Sequence, residues 1–228
     1  MRSVEIFLGV ALSLVATMAH AAGIQFFEVP SVGVARQLTG AVWYPCNAPR
    51  QEIIVRNFAI LGAKDCPLDG DKLPLVVLSH GRGGWFGGHD ATAASLADAG
   101  FVVAAIDHPD HNSQDRNRID SLSVLVERPA DIRRLVDFML GSWASATRLD
   151  HSRVGLFGFS MGGYTGLVAV GGRPDFRKDL PGCEKSEFFA CEQLRTGETS
   201  GETRGPDERI RAAVIVDPGP SIFFRPTA

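Results

Sequence analysis

The sequence has few of the features that mark nucleic-acid-binding or membrane-embedded proteins. Its 23 lysines and arginines do not outnumber its 26 aspartates and glutamates, the net charge is -3, and no basic stripe is present. We therefore expect no nucleic-acid partner. Beyond residue 22 no apolar run is long enough to span a bilayer, and neither internal repeats nor low-complexity blocks stand out. With 228 residues, 45% of them hydrophobic, an ordinary globular chain of one domain or at most two small ones is expected.

An apolar run at residues 1–22 has the composition of a secretory signal peptide. Arg2 supplies a short positive region, residues 6–18 are largely apolar, and Ala19-His20-Ala21 fits a cleavage site of small residues. The run is too short for a membrane span, and no stop-transfer charge cluster follows it. We expect cleavage to leave a secreted or periplasmic chain without stable membrane insertion. A buried N-terminal helix is the alternative.

The sequence contains only four cysteines, an even number that suits disulfides in an oxidising compartment. Three pairings are possible. The most local choice joins Cys46 to Cys66 and Cys183 to Cys191, and buried free thiols are the alternative. The spacings do not resemble a zinc site, so we expect no metal.

Apolar runs and amphipathic stretches alternate along the chain. The predicted strands are 24–29, 34–44, 52–60, 73–79, 101–106, 154–157 and 210–216, and the predicted helices are 90–99, one beginning at Pro129, and 164–170. The alternation favours an α/β fold, a mostly parallel sheet with helices on both faces, formed by residues 23–228. Residues 171–209 are rich in glycine, proline and charge, and they are long for a connection, so we predict a lid-like excursion over the sheet.

The most informative stretch is Gly158-Phe159-Ser160-Met161-Gly162, which lies between a predicted strand and a predicted helix. The pattern G-x-S-x-G in that context is a nucleophile elbow. The turn is too tight for side chains beside the serine, so it needs glycine at both flanking positions. The Ser160 hydroxyl is then exposed at the C-terminal end of the sheet. A glycine-rich turn that happens to contain a serine is the alternative interpretation.

Together with two further segments, this stretch resembles the α/β-hydrolase superfamily. The segments are His80-Gly81-Arg82-Gly83 before the elbow and Asp217 after the next strand. More narrowly, Trp43-Tyr44-Pro45-Cys46 and the Asp107-His108 loop resemble the secreted bacterial group called predicted dienelactone hydrolases. That group is related to platelet-activating-factor acetylhydrolases and polyester hydrolases. The resemblance covers nearly all of the mature chain.

The resemblance implies an α/β-hydrolase fold and a serine hydrolase that cleaves carboxylic esters through an acyl-serine intermediate, with no cofactor. The partner would be a small-molecule or lipid ester substrate, such as a lactone, a short acyl ester, a phospholipid or a polyester. Ser160 would attack the carbonyl, and the backbone N–H groups of Met161 and Arg82 would form the oxyanion hole. Asp217 is the candidate triad acid, with a simple Asp-Pro-Gly turn as the alternative.

Side chains around the predicted oxyanion loop have less certain roles. Trp85 and Phe86 are candidates for lining an acyl pocket, and packing is an equal alternative. His80 is expected to shape the loop rather than to act in catalysis. The Arg82 side chain is expected to be solvated, with an acidic group of the substrate as the alternative partner.

The sequence has no histidine after Ser160, although in this superfamily the base follows the serine and the acid. The simplest interpretation is a fragment or a prematurely ended chain whose missing part would hold the base, with a different acid in that part as the alternative to Asp217. One alternative gives the role to His108 or His111, and another places these histidines with Asp110 and Asp115 in a metal site, although their spacing matches no known motif.

The missing histidine and the exposed edge of the last strand lead to a rival function and to two further expectations. The rival function is binding: a non-catalytic relative would hold a small molecule or a protein in the cleft of the former active site. For the chain as given we expect little esterase activity, and we expect marginal stability because the last strand exposes an unpaired edge.

Overall fold

An eight-stranded sheet with helices on both faces forms the fold in the computed structural model, which describes residues 22–177, 181–187, 189–196 and 205–224. The strands are β1 (Gly23–Val29), β2 (Leu38–Tyr44), β3 (Gln51–Val55), β4 (Phe58–Lys64), β5 (Leu73–Ser79), β6 (Val102–Ile106), β7 (Leu149–Phe159) and β8 (Ile210–Val216). The helices are α1 (Asp90–Asp98), α2 (Val124–Gly141), α3 (Met161–Ala169) and α4 (Phe189–Thr196), with 3-10 turns at Ala146–Arg148 and Ser221–Phe223. Apart from Ala22, the predicted signal peptide lies outside the described residues.

The sheet has the order β3-β4-β1-β2-β6-β5-β7-β8. Strands β6, β5, β7 and β8 are mutually parallel, whereas β2 pairs antiparallel with both β1 and β6. The predicted mostly parallel sheet is therefore confirmed, and its first two strands form an antiparallel pair. Parallel strands end at a common edge, so β5 and β7 bring the segments after Ser79 and Phe159 together.

Helices cover the central strands on both faces. Every residue of β6 is buried, as expected for a parallel strand with helices above and below it. Helix α1 places Ala93 and Ala97 against Trp43 on one face. Helices α2 and α3 pack on the other face. There the core includes Val42, Leu75, Val77, Ala104, Ile132, Leu135, Met139, Leu156 and Ala169.

The prediction of a single strand over residues 52–60 is wrong. The chain forms a hairpin of β3 and β4 there, with Arg56 and Asn57 at the turn, at φ 51° and 68°. A tight hairpin favours positive φ at both central positions, and sequences usually mark such turns with glycine. Arg56 gives no such signal. The second predicted strand is also too long, because β2 begins at Leu38.

The predicted start of the second helix at Pro129 is also wrong, since α2 begins five residues earlier at Val124. Its first turn is closed by hydrogen bonds such as the one from Glu127 N–H to Ser123 O, at 3.0 Å. Pro129 therefore lies inside the helix, where it removes the N–H that would have bonded to Leu125 O and its ring crowds that carbonyl.

Strand β8 is present as predicted, but it is not buried. Ile210 is covered, whereas residues 211–214 are exposed and Val214 is 58% accessible. Within the described residues β8 pairs only with β7 and forms an edge of the sheet. A groove of about 650 Å³ runs along this face between β8 and α1, and Leu96 and Phe157 are among its lining residues.

Both predicted disulfides are present. Cys46–Cys66 closes the loop that contains the β3–β4 hairpin, and Cys183–Cys191 closes a shorter one. In the described part of 171–209, Leu194 of α4 packs in a cluster with Tyr164 of α3. This segment therefore lies against the helix that follows the elbow, and the lid-like role stays a prediction.

Candidate active site

The predicted elbow lies between β7 and α3. Ser160 has φ 53° and ψ -118°, an unfavourable conformation for a residue with a side chain. A Cβ on Gly158 would lie 2.2 Å from the carbonyl oxygen of Gly162, and one on Gly162 would lie 1.9 Å from that of Ser79. Glycine is therefore required at both flanking positions, as the sequence predicts.

The predicted oxyanion loop lies against the serine. A Cβ on Gly81 would be 3.4 Å from the Ser160 Cβ, so the backbone of this loop passes beside the nucleophile. Met161 is the first residue of α3, and the first N–H groups of a helix have no partner within it. The N-terminus of α3 therefore carries a partial positive charge next to Ser160. The roles of Met161 and Arg82 as donors stay predictions.

The turn after β8 is joined to the elbow through the backbone. Ser160 N–H donates to Val216 O at 2.9 Å, and Gly219 N–H donates to Ser160 O at 3.1 Å. Asp217 therefore lies at the same edge of the sheet as the serine, with φ 45° and an exposed side chain. Its carboxylate has no hydrogen bond within the described residues, so its role as the triad acid stays a prediction.

The side chains near the oxyanion loop are mostly used for packing. Trp85 and Phe86 are buried at 9% and 3% exposure, and Trp85 stacks on Phe58 with ring centroids 5.4 Å apart. The guanidinium of Arg56 lies over both rings. These contacts favour the packing alternative for both residues. The Arg82 side chain is half-exposed and forms an ion pair with Asp120.

Three histidines lie in the interior beneath the loop. His80, His108 and His111 are each at most 1% exposed, and burial followed by the charge of Arg128 lowers the pKa of all three. The pKa of His111 falls to about 3. None of these histidines bonds to Ser160 Oγ within the part of the chain that the structure describes.

The two other described histidines give no base either. His89 is partly buried and packs edge-on against Phe157 and Phe159, with ring centroids 5.6 and 5.4 Å away. His151 is exposed at the start of β7. Among residues 22–177, 181–187, 189–196 and 205–224, no group of three or more metal-ligating side chains is present, and no helix has the length and apolarity to cross a membrane.

Arg128 is a central residue of the site that the sequence reasoning missed. It is 1% exposed on α2 and donates hydrogen bonds to Ser79, His80, His111 and Thr165. The sequence does indicate that Arg128 is buried, because position 128 lies four residues before Ile132 and falls on the apolar stripe of the helix. A charged residue on that stripe has to be paired in the interior.

Comparisons with known proteins identify similar sequences and a similar fold. The family model described as serine aminopeptidase, S33 matches residues 70–180. A platelet-activating factor acetylhydrolase of Cavia porcellus is 41% identical over 44 residues, which are 19% of this chain and 10% of that protein.

A ferulic acid esterase from Streptomyces cinnamoneus has a similar structure. The TM-score is 0.59 at 21% identity, over 90% of this chain and 61% of the esterase. The chain thus spans about three fifths of the length of that esterase and a tenth of the acetylhydrolase. The likeness to the esterase supports the same overall fold.

Proposed function

Since this chain belongs to the α/β-hydrolase superfamily, we propose that it is a serine hydrolase that cleaves carboxylic ester bonds through an acyl-serine intermediate. The Ser160 hydroxyl would attack the ester carbonyl, and the alcohol would leave. Water would then release the acid from the serine. The N–H groups of Met161 and Arg82 would stabilise the oxyanion formed in both steps.

One observation carries the proposal: Ser160 is held at φ 53° and ψ -118° at the tip of a strand-turn-helix. This backbone conformation is unfavourable and persists only where the surrounding structure enforces it. Here the flanking glycines, the contact with the oxyanion loop and two backbone hydrogen bonds with the β8 turn enforce it. A nucleophile elbow uses this constraint to expose the serine hydroxyl at the tip of the turn.

The substrate class is proposed from the names of two similar proteins. The ferulic acid esterase and the platelet-activating factor acetylhydrolase are each named for an ester-cleaving or acetyl-removing activity. A lactone, a short acyl ester or a lipid ester would each present the carbonyl that Ser160 attacks. We further propose a secreted or periplasmic location, because two disulfides form and persist in an oxidising compartment.

A second candidate function is supported by the histidines. Because the described histidines bond elsewhere or lie apart from Ser160 Oγ, the serine has no base among them. A serine without a base is a weak nucleophile. A catalytically incomplete member of the superfamily that binds a small ester in the cleft is therefore the alternative.

Labelling with a fluorophosphonate probe separates the two functions. The probe phosphonylates an activated serine, so the hydrolase predicts labelling of the wild-type chain and none of Ser160→Ala, whereas the binding protein predicts labelling of neither. Hydrolysis of p-nitrophenyl acetate measured beside it tests turnover, which we expect to be low without a base. A folded wild-type chain that the probe leaves unmodified would exclude the hydrolase and favour the binding protein.

A further inference from the structure

A single buried guanidinium connects the two segments that carry the proposed oxyanion donors. Arg128 Nη2 donates to the carbonyl of His80, two residues before Arg82, and to Ser79 Oγ at 3.1 Å. Its Nε donates to Thr165 Oγ1 at 3.1 Å, and that hydroxyl donates to Met161 O at 2.9 Å. One side chain therefore fixes the end of β5 and the first turn of α3 relative to each other.

The geometry of this contact depends on the planar shape of arginine. A guanidinium presents five N–H donors in a rigid fork, whereas an ammonium presents a compact charge. Here the fork also donates from Nη1 to His111 Nδ1 at 2.8 Å, which leaves the proton of that ring on Nε2. All three nitrogens of Arg128 are thus used, each toward a different segment.

Hydrogen bonds connect Arg128 to the carboxyl group of Asp131, two side chains away. The Ser79 hydroxyl accepts from Arg128 and donates to His108 Nε2 at 2.9 Å, and His108 Nδ1–H donates to Asp131 Oδ2 at 3.0 Å. A buried charge needs groups around it that satisfy its hydrogen bonds. The hydrogen-bonded chain from Arg128 to Asp131 lets the guanidinium stay in the interior below the loop.

The geometry points to Arg128 as a positioning residue that sets the distance between the Arg82 and Met161 N–H groups. This inference rests on the proposed function, since it concerns the oxyanion hole of the same site. The guanidinium contacts the backbone below the hole and not the substrate. Loss of a donor's alignment affects the transition state more than the bound ester, so kcat should fall and KM should change little.

Substitution of Arg128 by methionine tests the role. Arg133→Met is the matched control, because Arg133 lies on the same helix and binds the surface carbonyls of Gly205 and Pro206. In Arg128→Met we expect amide hydrogen exchange to rise tenfold or more within residues 79–84 and 160–166. Fluorophosphonate labelling of Ser160 should slow by about 10²-fold, as for loss of one oxyanion donor. Arg133→Met should change neither.

Two further variants separate the effect of the Arg128 charge from the effect of its hydrogen bonds. Arg128→Lys keeps the charge without the fork, so we expect slower labelling than in the wild type. Thr165→Val removes only the hydroxyl between Arg128 and Met161, and it serves if Arg128→Met does not fold. Its exchange should rise within 160–166 alone.

The outcomes separate this inference from the proposed function. If the wild type is not labelled, the hydrolase proposal fails, while the exchange data still decide the role of Arg128. Unchanged exchange in a folded Arg128→Met would overturn the positioning role. A rise that extends equally to the β1–β2 segment 23–44 would also overturn it, since that pattern reports a general loss of stability.

Discussion

At the scale of single residues, the elbow depends on two glycines whose missing side chains make room for the backbone. The Cβ of an alanine at position 162 would lie 1.9 Å from Ser79 O, so either the turn or the end of β5 would have to move. Such overpacking usually costs about 1–3 kcal/mol and sometimes more. It would also displace the serine from the donors beside it.

We therefore predict that Gly162→Ala lowers the free energy of unfolding by at least about 2 kcal/mol and abolishes fluorophosphonate labelling. Gly141→Ala is the control, because no atom lies within 4 Å of the added methyl group. At that helical position alanine should stabilise the protein by up to about 1 kcal/mol. Urea unfolding measures both changes. Equal stability of the two variants would contradict the tight turn.

Also at this scale, the sequence predicts the elbow and its glycines but not the buried contacts around them. G-x-S-x-G is a local pattern in which each position has its own steric reason. Arg128 bonds to residues 37 and 49 positions away, so no local pattern reports its partners. An arginine in a helix normally indicates a solvated face, and only its place on the apolar stripe argued otherwise.

At the scale of elements, continuous apolar runs predict strands well, but they do not predict burial. The prediction of a strand at Leu73–Ser79 is confirmed residue for residue, because a run of that length between polar loops fits a parallel strand. Ile210–Val216 has the same character and is largely exposed. Burial depends on what packs against a strand, and an apolar run indicates a tendency to be buried without showing which elements cover it.

The two valines at positions 154 and 214 make this difference measurable. Val154 on β7 is 1% exposed and Val214 on β8 is 58% exposed. We predict that Val154→Thr lowers the free energy of unfolding by about 1–3 kcal/mol, since it buries a hydroxyl. Val214→Thr should change it by less than about 0.5 kcal/mol. Similar losses in urea unfolding of the two variants would show that the outer face of β8 is covered in solution.

At the scale of the whole molecule, the interior holds three histidines in the neutral form. Burial lowers their pKa values in the folded chain below the ordinary value of 6.5, so the unfolded chain binds more protons below that pH. Stability is then lost as the pH falls, by up to about 1.4 kcal/mol per pH unit for each histidine. Asp131 opposes this, because burial raises its pKa to about 7 and favours folding of the protonated form.

We predict a net loss of about 2–3 kcal/mol per pH unit as the pH falls below 6, since the three buried histidines and His89, whose pKa burial also lowers, outweigh Asp131 and Asp107, whose pKa burial raises. Urea unfolding between pH 7.5 and 5 measures the slope. His111→Gln should reduce it by about 1.4 kcal/mol per unit, because glutamine can accept from Arg128 without titrating. His151→Gln, on the exposed start of β7, should leave it unchanged. Stability that is constant over this range would contradict the prediction.

The contacts of Arg128 also predict the order in which parts of the chain fold. They join β5, the loop after β6, α2 and α3, which meet only when the central parallel strands are in register. Contacts between distant segments carry a large loop-closure cost and form slowly. During refolding, helical signal should therefore return before Ser160 can be labelled. Reactivity at the elbow would then report that the chain has completed its fold.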